Sequence, residues 1–92
     1  MQTLANARFT GAAPTEAELR DWIRAALARA LGLAVTEIDD EREFDAYGLP
    51  SLEAVMLTGD LEDLLGRPVD AEAALEHASV ARLARHLVSI AP

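Results

Sequence analysis

The chain has 92 residues, with 16 Asp and Glu against 8 basic residues, every one an Arg, for a net charge of −8. That length holds one small domain around one core and leaves no room for a catalytic domain beside a cofactor domain. With 0 Cys, disulfides, thiolate nucleophiles and Cys-ligated zinc are excluded; the acidity argues against nucleic acid or an anionic membrane as partner and for a protein with a basic patch.

Residues 1–13 are small and polar without periodicity, and are expected to form a flexible lead or linker ahead of a domain spanning 14–92. The lead holds one Arg and no compact apolar block, so it lacks the pattern of a signal peptide. No apolar run approaches the roughly 20 residues needed to cross a bilayer, and the expected location is the cytoplasm.

Pro14 and Thr15 open the first helix. Thr15 with Glu18 three residues on forms a capping box, each side chain satisfying a free backbone N–H. Leu19, Trp22, Ile23, Ala26, Leu27 and Ala30 recur at helical spacing as the core stripe, and Gly32 ends the helix. Leu33 to Pro50 is a connection of 18 residues, long enough to need anchoring in so small a domain. Val35, Ile38, Phe44 and Leu49 are its apolar pegs, with Tyr47 packing beside them. Between them lie Glu37, Asp39, Asp40, Glu41, Glu43 and Asp45, which read as a solvated charged loop.

Leu52 to Leu65 forms the second helix, closed by Gly66 and Pro68. Ala71 to His77 permits a short third helix, and Ser79 caps a last helix whose buried stripe is Val80, Leu83, Ala84 and Leu87. No segment alternates at period two. The expected fold is all-α: a small four-helix bundle of three main helices and one short helix, with a long loop between the first and second.

The second helix is the informative one. At about 100° per residue it carries two apolar sectors. Ala54, Leu57, Leu61, Leu64 and Leu65 make one; Leu52, Val55, Met56 and Gly59 make the other. Asp60, Glu62 and Asp63 flank or join the second sector, and Glu53 lies between the two. A surface helix needs one apolar face for its core. The second sector is therefore either an exposed strip edged with acids, suited to docking a basic-rimmed partner, or a face covered by the loop 33–50. The acids favour exposure. Ser51, at the start of this helix, reads as a helix cap or as an attachment point, since a phosphate ester is electrostatically favoured at a helix N-terminus.

The run Phe44-Asp45-Ala46-Tyr47-Gly48-Leu49-Pro50-Ser51-Leu52-Glu53 resembles the phosphopantetheine attachment motif of acyl carrier proteins, whose core reads Gly-x-Asp-Ser-Leu. Leu61 to Val69 resembles the end of that family's second helix, and His77 to Ala84 the start of its last. The likeness runs from Thr15 to Leu87 in order and at the family's spacing, and is closest in tone to carrier domains of modular polyketide synthases. The resemblance implies that Ser51 is esterified by a phosphopantetheinyl transferase using coenzyme A and Mg²⁺, with the Ser51 oxygen attacking phosphorus. It implies 4'-phosphopantetheine as covalent cofactor, whose terminal thiol carries acyl groups as thioesters, so a chain without Cys can carry out thiol chemistry. It implies a monomeric, non-catalytic carrier that serves ketosynthase, acyltransferase or acyl-ligase partners. Its docking helix would present Leu52, Glu53, Val55, Met56, Gly59, Glu62 and Asp63. A peptidyl carrier of non-ribosomal peptide synthesis would share the fold and the arm.

One position departs from the motif. Pro50 stands where the family has Asp, which removes a carboxylate and an N–H and fixes φ near about −65°. Two readings follow: a carrier still modified at Ser51, or a carrier-like docking domain that is not modified. Other sites are weaker. Asp39–Asp45 lacks the calcium-loop pattern, with Pro50 at its twelfth place. His77 and His86 have no third metal ligand in pattern; His77 reads as a packing or hydrogen-bonding residue before the last helix and His86 as part of that helix's polar edge with Arg82. Ser51 has no Gly-x-Ser-x-Gly context for catalysis. Arg67, Arg82 and Arg85 are expected to pair with acids, and Trp22 to lie in the core.

Overall fold

A computed structural model describes residues 14–90; the predicted lead, 1–13, lies outside them. Helix α1 spans Glu16–Leu31, α2 Ser51–Leu65, α3 Ala73–Glu76 and α4 Val80–Ser89. Two 3-10 turns, Val35–Glu37 and Phe44–Tyr47, interrupt the long connection between α1 and α2. The described residues form no strand, only an isolated bridge between Glu43 and Ser79. The architecture is the all-α four-helix bundle read from the sequence.

The caps form as the residue types dictate. The Glu18 N–H donates to Thr15 Oγ1 at 3.1 Å, and the Thr15 N–H donates to the Glu18 carboxylate at 2.8 Å. Gly32 closes α1 in the left-handed region at φ 71°, where a side chain would be strained. Ser79 Oγ accepts from the Arg82 N–H at 3.1 Å and opens α4. The stripe Val80, Leu83, Ala84 and Leu87 is buried against α1, whose Leu19, Ile23 and Leu27 are buried in return. Trp22 and Ala26 are half-buried, packed on this core. Ala30 departs from the expected stripe and is exposed, because the last turn of α1 faces a cleft beside α2. Ala28 is buried instead, where the chain turns back after Gly32 and the Leu33 N–H donates to the Ala28 carbonyl.

The connection is pinned at both ends of its acidic stretch. Ile38, Phe44 and Leu49 are buried and Tyr47 half-buried, whereas Val35 is exposed: it lies in a three-residue turn and the next apolar residue, Ile38, fills the core. The acids are not simply solvated. Arg24 Nη1 donates to both Asp40 carboxylate oxygens at 2.5 and 2.6 Å, and Arg20 donates to Asp40 at 3.3 Å and to Glu16 at 2.8 Å. The Asp40 carbonyl accepts from the Ala81 N–H at 2.9 Å, so one residue ties the loop to both α1 and α4. Further along, the Phe44 N–H donates to the Ala78 carbonyl at 2.8 Å, and Arg82 pairs with Glu43 at 2.8 Å. Hydrogen bonding to Asp40 holds the Arg24 guanidinium above its ordinary pKa against the opposing pull of burial, and hydrogen bonding to Glu16 does the same for Arg20.

Candidate functional site: the start of helix α2

The segment before α2 is built to hold Ser51 in a fixed place on the surface. Tyr47 accepts a hydrogen bond from the Asp39 N–H through its phenol oxygen at 2.6 Å and donates to the Asp39 carbonyl at 3.1 Å. Gly48 then turns the chain at φ 81°, and Leu49 drops into the core. Pro50 follows with φ −64° and ψ 149°, and its carbonyl accepts the first helical bond, from the Ala54 N–H at 3.1 Å.

Pro50 therefore occupies the N-cap, and Ser51 is the first residue inside the helix. This corrects the reading of Ser51 as the cap: the helix begins one residue earlier, because the proline ring already holds φ near its N-terminal value. No side chain caps α2, so the first-turn N–H groups have no side-chain acceptor at the N-cap position. Ser51 is exposed. It borders a hollow of about 240 Å³ walled by Phe44, Leu49, Ala54, Ala74 and Leu75, with the exposed carboxylates Glu43 and Asp45 on the loop side. An accessible hydroxyl, a helix start free of side-chain caps and adjacent open space fit a phosphate ester.

The two sectors of α2 separate as expected. Ala54, Leu57, Leu61 and Leu64 are buried and Leu65 half-buried. Leu52 is 71% and Met56 60% exposed, Gly59 is exposed and Val55 is half-buried, so the long connection does not cover the second sector. Thr58 joins the core unannounced by its polarity. It is buried because its hydroxyl donates to the Val55 carbonyl at 2.5 Å within the helix. Glu53, Asp60 and Asp63 are exposed. Glu62 is half-buried and accepts from the Val69 N–H at 2.8 Å, which fixes the link towards α3.

The remaining candidates go elsewhere. His77 and His86 stack, with ring centroids 4.0 Å apart and planes 13° apart, which joins the end of α3 to α4; His86 is half-buried beside the buried stripe, one turn after the exposed Arg82. Among the described residues no cluster of three His, Cys, Asp or Glu is placed to hold a metal. Arg82 pairs with an acid as expected, but Arg67 donates to the Ile90 carbonyl at 3.3 Å.

The chain is similar to a polyketide synthase subunit and to carrier proteins of solved structure. Over 84 residues, 91% of its length, it is 35% identical to a phenolphthiocerol/phthiocerol polyketide synthase subunit of Mycobacterium tuberculosis, of which it spans 4%. A free-standing peptidyl carrier protein from Acinetobacter baumannii superposes with a TM-score of 0.77 at 31% identity, covering 82% of this chain and 94% of that one. An acyl carrier protein from Anabaena sp., described as having a variant phosphopantetheinylation-site sequence, gives 0.76 at 29% identity over 83% of this chain and 86% of its own. Residues 21–87 match the family described as the phosphopantetheine attachment site. That stretch begins within α1, ends within α4 and has Ser51 near its middle, so the chain belongs to the phosphopantetheine-attachment family of carrier domains, whose members carry 4'-phosphopantetheine covalently.

Proposed function

We propose that this chain is a non-catalytic, monomeric acyl carrier of polyketide assembly in the cytoplasm, with its arm on Ser51. The observation that carries the reading is the placement of an exposed Ser51 in the first turn of α2, inside the stretch that matches the family. When bound, the arm supplies a terminal thiol that holds acyl groups as thioesters. The chain's own residues position and present it. Gly48 and the buried Leu49 fix the backbone before Ser51, the α2 N-terminus favours the phosphate electrostatically, and the tether raises the cargo's effective concentration at each partner.

Leu52, Val55, Met56 and Gly59, edged by Glu53, Glu62 and Asp63, form the docking strip in this reading. It serves a phosphopantetheinyl transferase and ketosynthase, acyltransferase or acyl-ligase partners with basic patches. An exposed apolar centre with an acidic rim matches such surfaces in both packing and charge. The similarity to a polyketide synthase supports that pathway over peptide assembly.

Pro50 favours the second reading, an unmodified docking domain, because it deletes the motif carboxylate. The Anabaena carrier supports the first, since it keeps this fold with a site sequence that is itself variant. Incubation with coenzyme A, Mg²⁺ and a broad-range transferase, followed by intact-mass spectrometry, separates the two. The first reading expects one phosphopantetheinyl increment on the parent and none on Ser51→Ala. No increment with several transferases refutes it.

A further inference from the structure

Helix α2 has a second recess, on the side away from Ser51. It is a cleft of about 380 Å³ between α1 and α2, at the small end of the range for binding pockets. Its floor is apolar, formed by Ala26, Ala30, Leu49 and Leu57, with Met56 at one side. Two carboxylates, Glu53 and Asp60, line the α2 rim, and both are exposed. Arg29, in the last turn of α1, lies on the other rim.

The geometry of α2 decides what can enter. At about 100° per residue, Glu53, Met56, Leu57 and Asp60 lie roughly 140° to 240° round the axis from Ser51. A group tethered at Ser51 emerges on the opposite flank, beside its own hollow near α3. Met56, by contrast, belongs both to the cleft and to the exposed strip with Leu52. A partner lying on that strip reaches the cleft by crossing one side chain, whereas an acyl chain on Ser51 starts on the far side of the helix axis, next to a nearer hollow. The α2 rim selects further: an apolar side chain entering past Glu53 and Asp60 is favoured when a cation lies beside it on that rim, across the cleft from Arg29.

We propose that the α1–α2 cleft is a second docking site that receives an apolar side chain flanked by Arg or Lys from a synthase partner. This rests on the carrier reading and extends the partner surface from α2 onto α1. The site contributes to affinity and selectivity between partners, and contributes nothing to holding the arm.

The test uses the full chain, loaded on Ser51 and confirmed by intact mass. Turnover is then measured with purified ketosynthase and acyltransferase domains of a polyketide synthase as the probe partners. Ala30→Trp fills the cleft, Asp60→Arg reverses its rim, and Glu41→Arg makes the same charge change on the exposed loop. Loading is expected to be complete in all three. KM for the carrier is expected to rise about fivefold to tenfold in Ala30→Trp and Asp60→Arg with at least one domain, with kcat held, while Glu41→Arg stays within about twofold, the difference between a rim contact and bulk charge. If Ala30→Trp loses its helical circular-dichroism spectrum, Asp60→Arg alone decides. KM values within about twofold of the parent with both domains overturn the proposal, as does an Asp60→Arg effect equal to that of Glu41→Arg. Slower thioester hydrolysis in the parent than in Ala30→Trp, without a KM change, assigns the cleft to cargo and also overturns it. Failure of the parent to load at Ser51 is a different result: it removes the carrier reading itself, and this extension with it.

Discussion

Replacing Asp40 by Ala removes the one carboxylate that joins the long connection to α1. The side chain is 18% exposed and its partners Arg20 and Arg24 are 29% and 24% exposed, so the group lies between a surface pair and a buried one. Exposed pairs contribute about 0.2–1 kcal/mol, and hydrogen bonds to charged groups about 1.5–3 kcal/mol. Two short bonds from Arg24 and a longer one from Arg20 place the loss at about 1–2 kcal/mol. The backbone bond from Ala81 to the Asp40 carbonyl survives the substitution, which keeps the loss below that of a broken core. For a domain of this size that lowers Tm by roughly 5–12 °C. Because the pair is partly shielded, most of the effect persists at high salt. Both guanidinium pKa values are raised by their partners, so the guanidinium contribution to this stabilisation is present below the unfolded Arg value and is lost as pH climbs through the folded one, in strong alkali. Urea unfolding followed by circular dichroism measures it, with Asp45→Ala, exposed and on the same loop, as the reference. An Asp40→Ala loss within about 0.3 kcal/mol of that reference refutes the latch.

Thr15→Ala deletes the acceptor half of the α1 capping box and is expected to cost about 1 kcal/mol in urea unfolding. Gly48→Ala meets no atom within 4 Å but must hold φ 81°, so its expected cost of about 1–2 kcal/mol is conformational; a neutral result by the same assay places the turn elsewhere. Met56→Glu leaves helical circular dichroism and stability within about 0.5 kcal/mol, because Met56 is 60% exposed, while weakening partner turnover; loss of the helical spectrum means that this side chain is core. Pro50→Asp exchanges a gain of about 0.5–2 kcal/mol from a side-chain cap against about 0.4–1 kcal/mol from lost chain stiffness. Its stability is therefore expected to stay within about 1 kcal/mol of the parent while loading by a transferase becomes faster in the mass assay.

The helices were legible because their signals are local. A Thr–Glu pair three apart, a Gly at the exit and a Ser before an apolar stripe each act within one turn, and all three formed where the residues lie. The second sector of α2 was legible for the same reason, since the wheel shows more apolar surface than one core can take. What failed were contacts set by how elements meet. Ala30 has the right phase for burial, yet the last turn of α1 meets a cleft there. Asp40 finds its arginines 16 and 20 positions back in the chain, a pairing that exists only once the loop folds over α1. His77 and His86 are nine apart in sequence but stack because α3 is short and turns directly into α4. The departure at Ser51 was a matter of one residue: proline takes the cap geometry for itself.

That one-residue shift separates stability from recognition at this site. Three devices place Ser51: the Asp40 latch, the Gly48 turn and the Leu49 peg. None of them uses the side chain before Ser51, so exchanging the family's Asp for Pro leaves the hydroxyl where the fold puts it. What changes is the surface beside it, which loses a charge and a helix-capping group and gains a rigid ring. Under the proposed attachment at Ser51, the consequence falls on whichever enzyme reads that surface during loading. In the same reading, partners that dock on the exposed Leu52 and Met56 meet side chains that the exchange leaves in place. A carrier built this way can therefore differ from its relatives in how readily it is charged without differing in how it delivers.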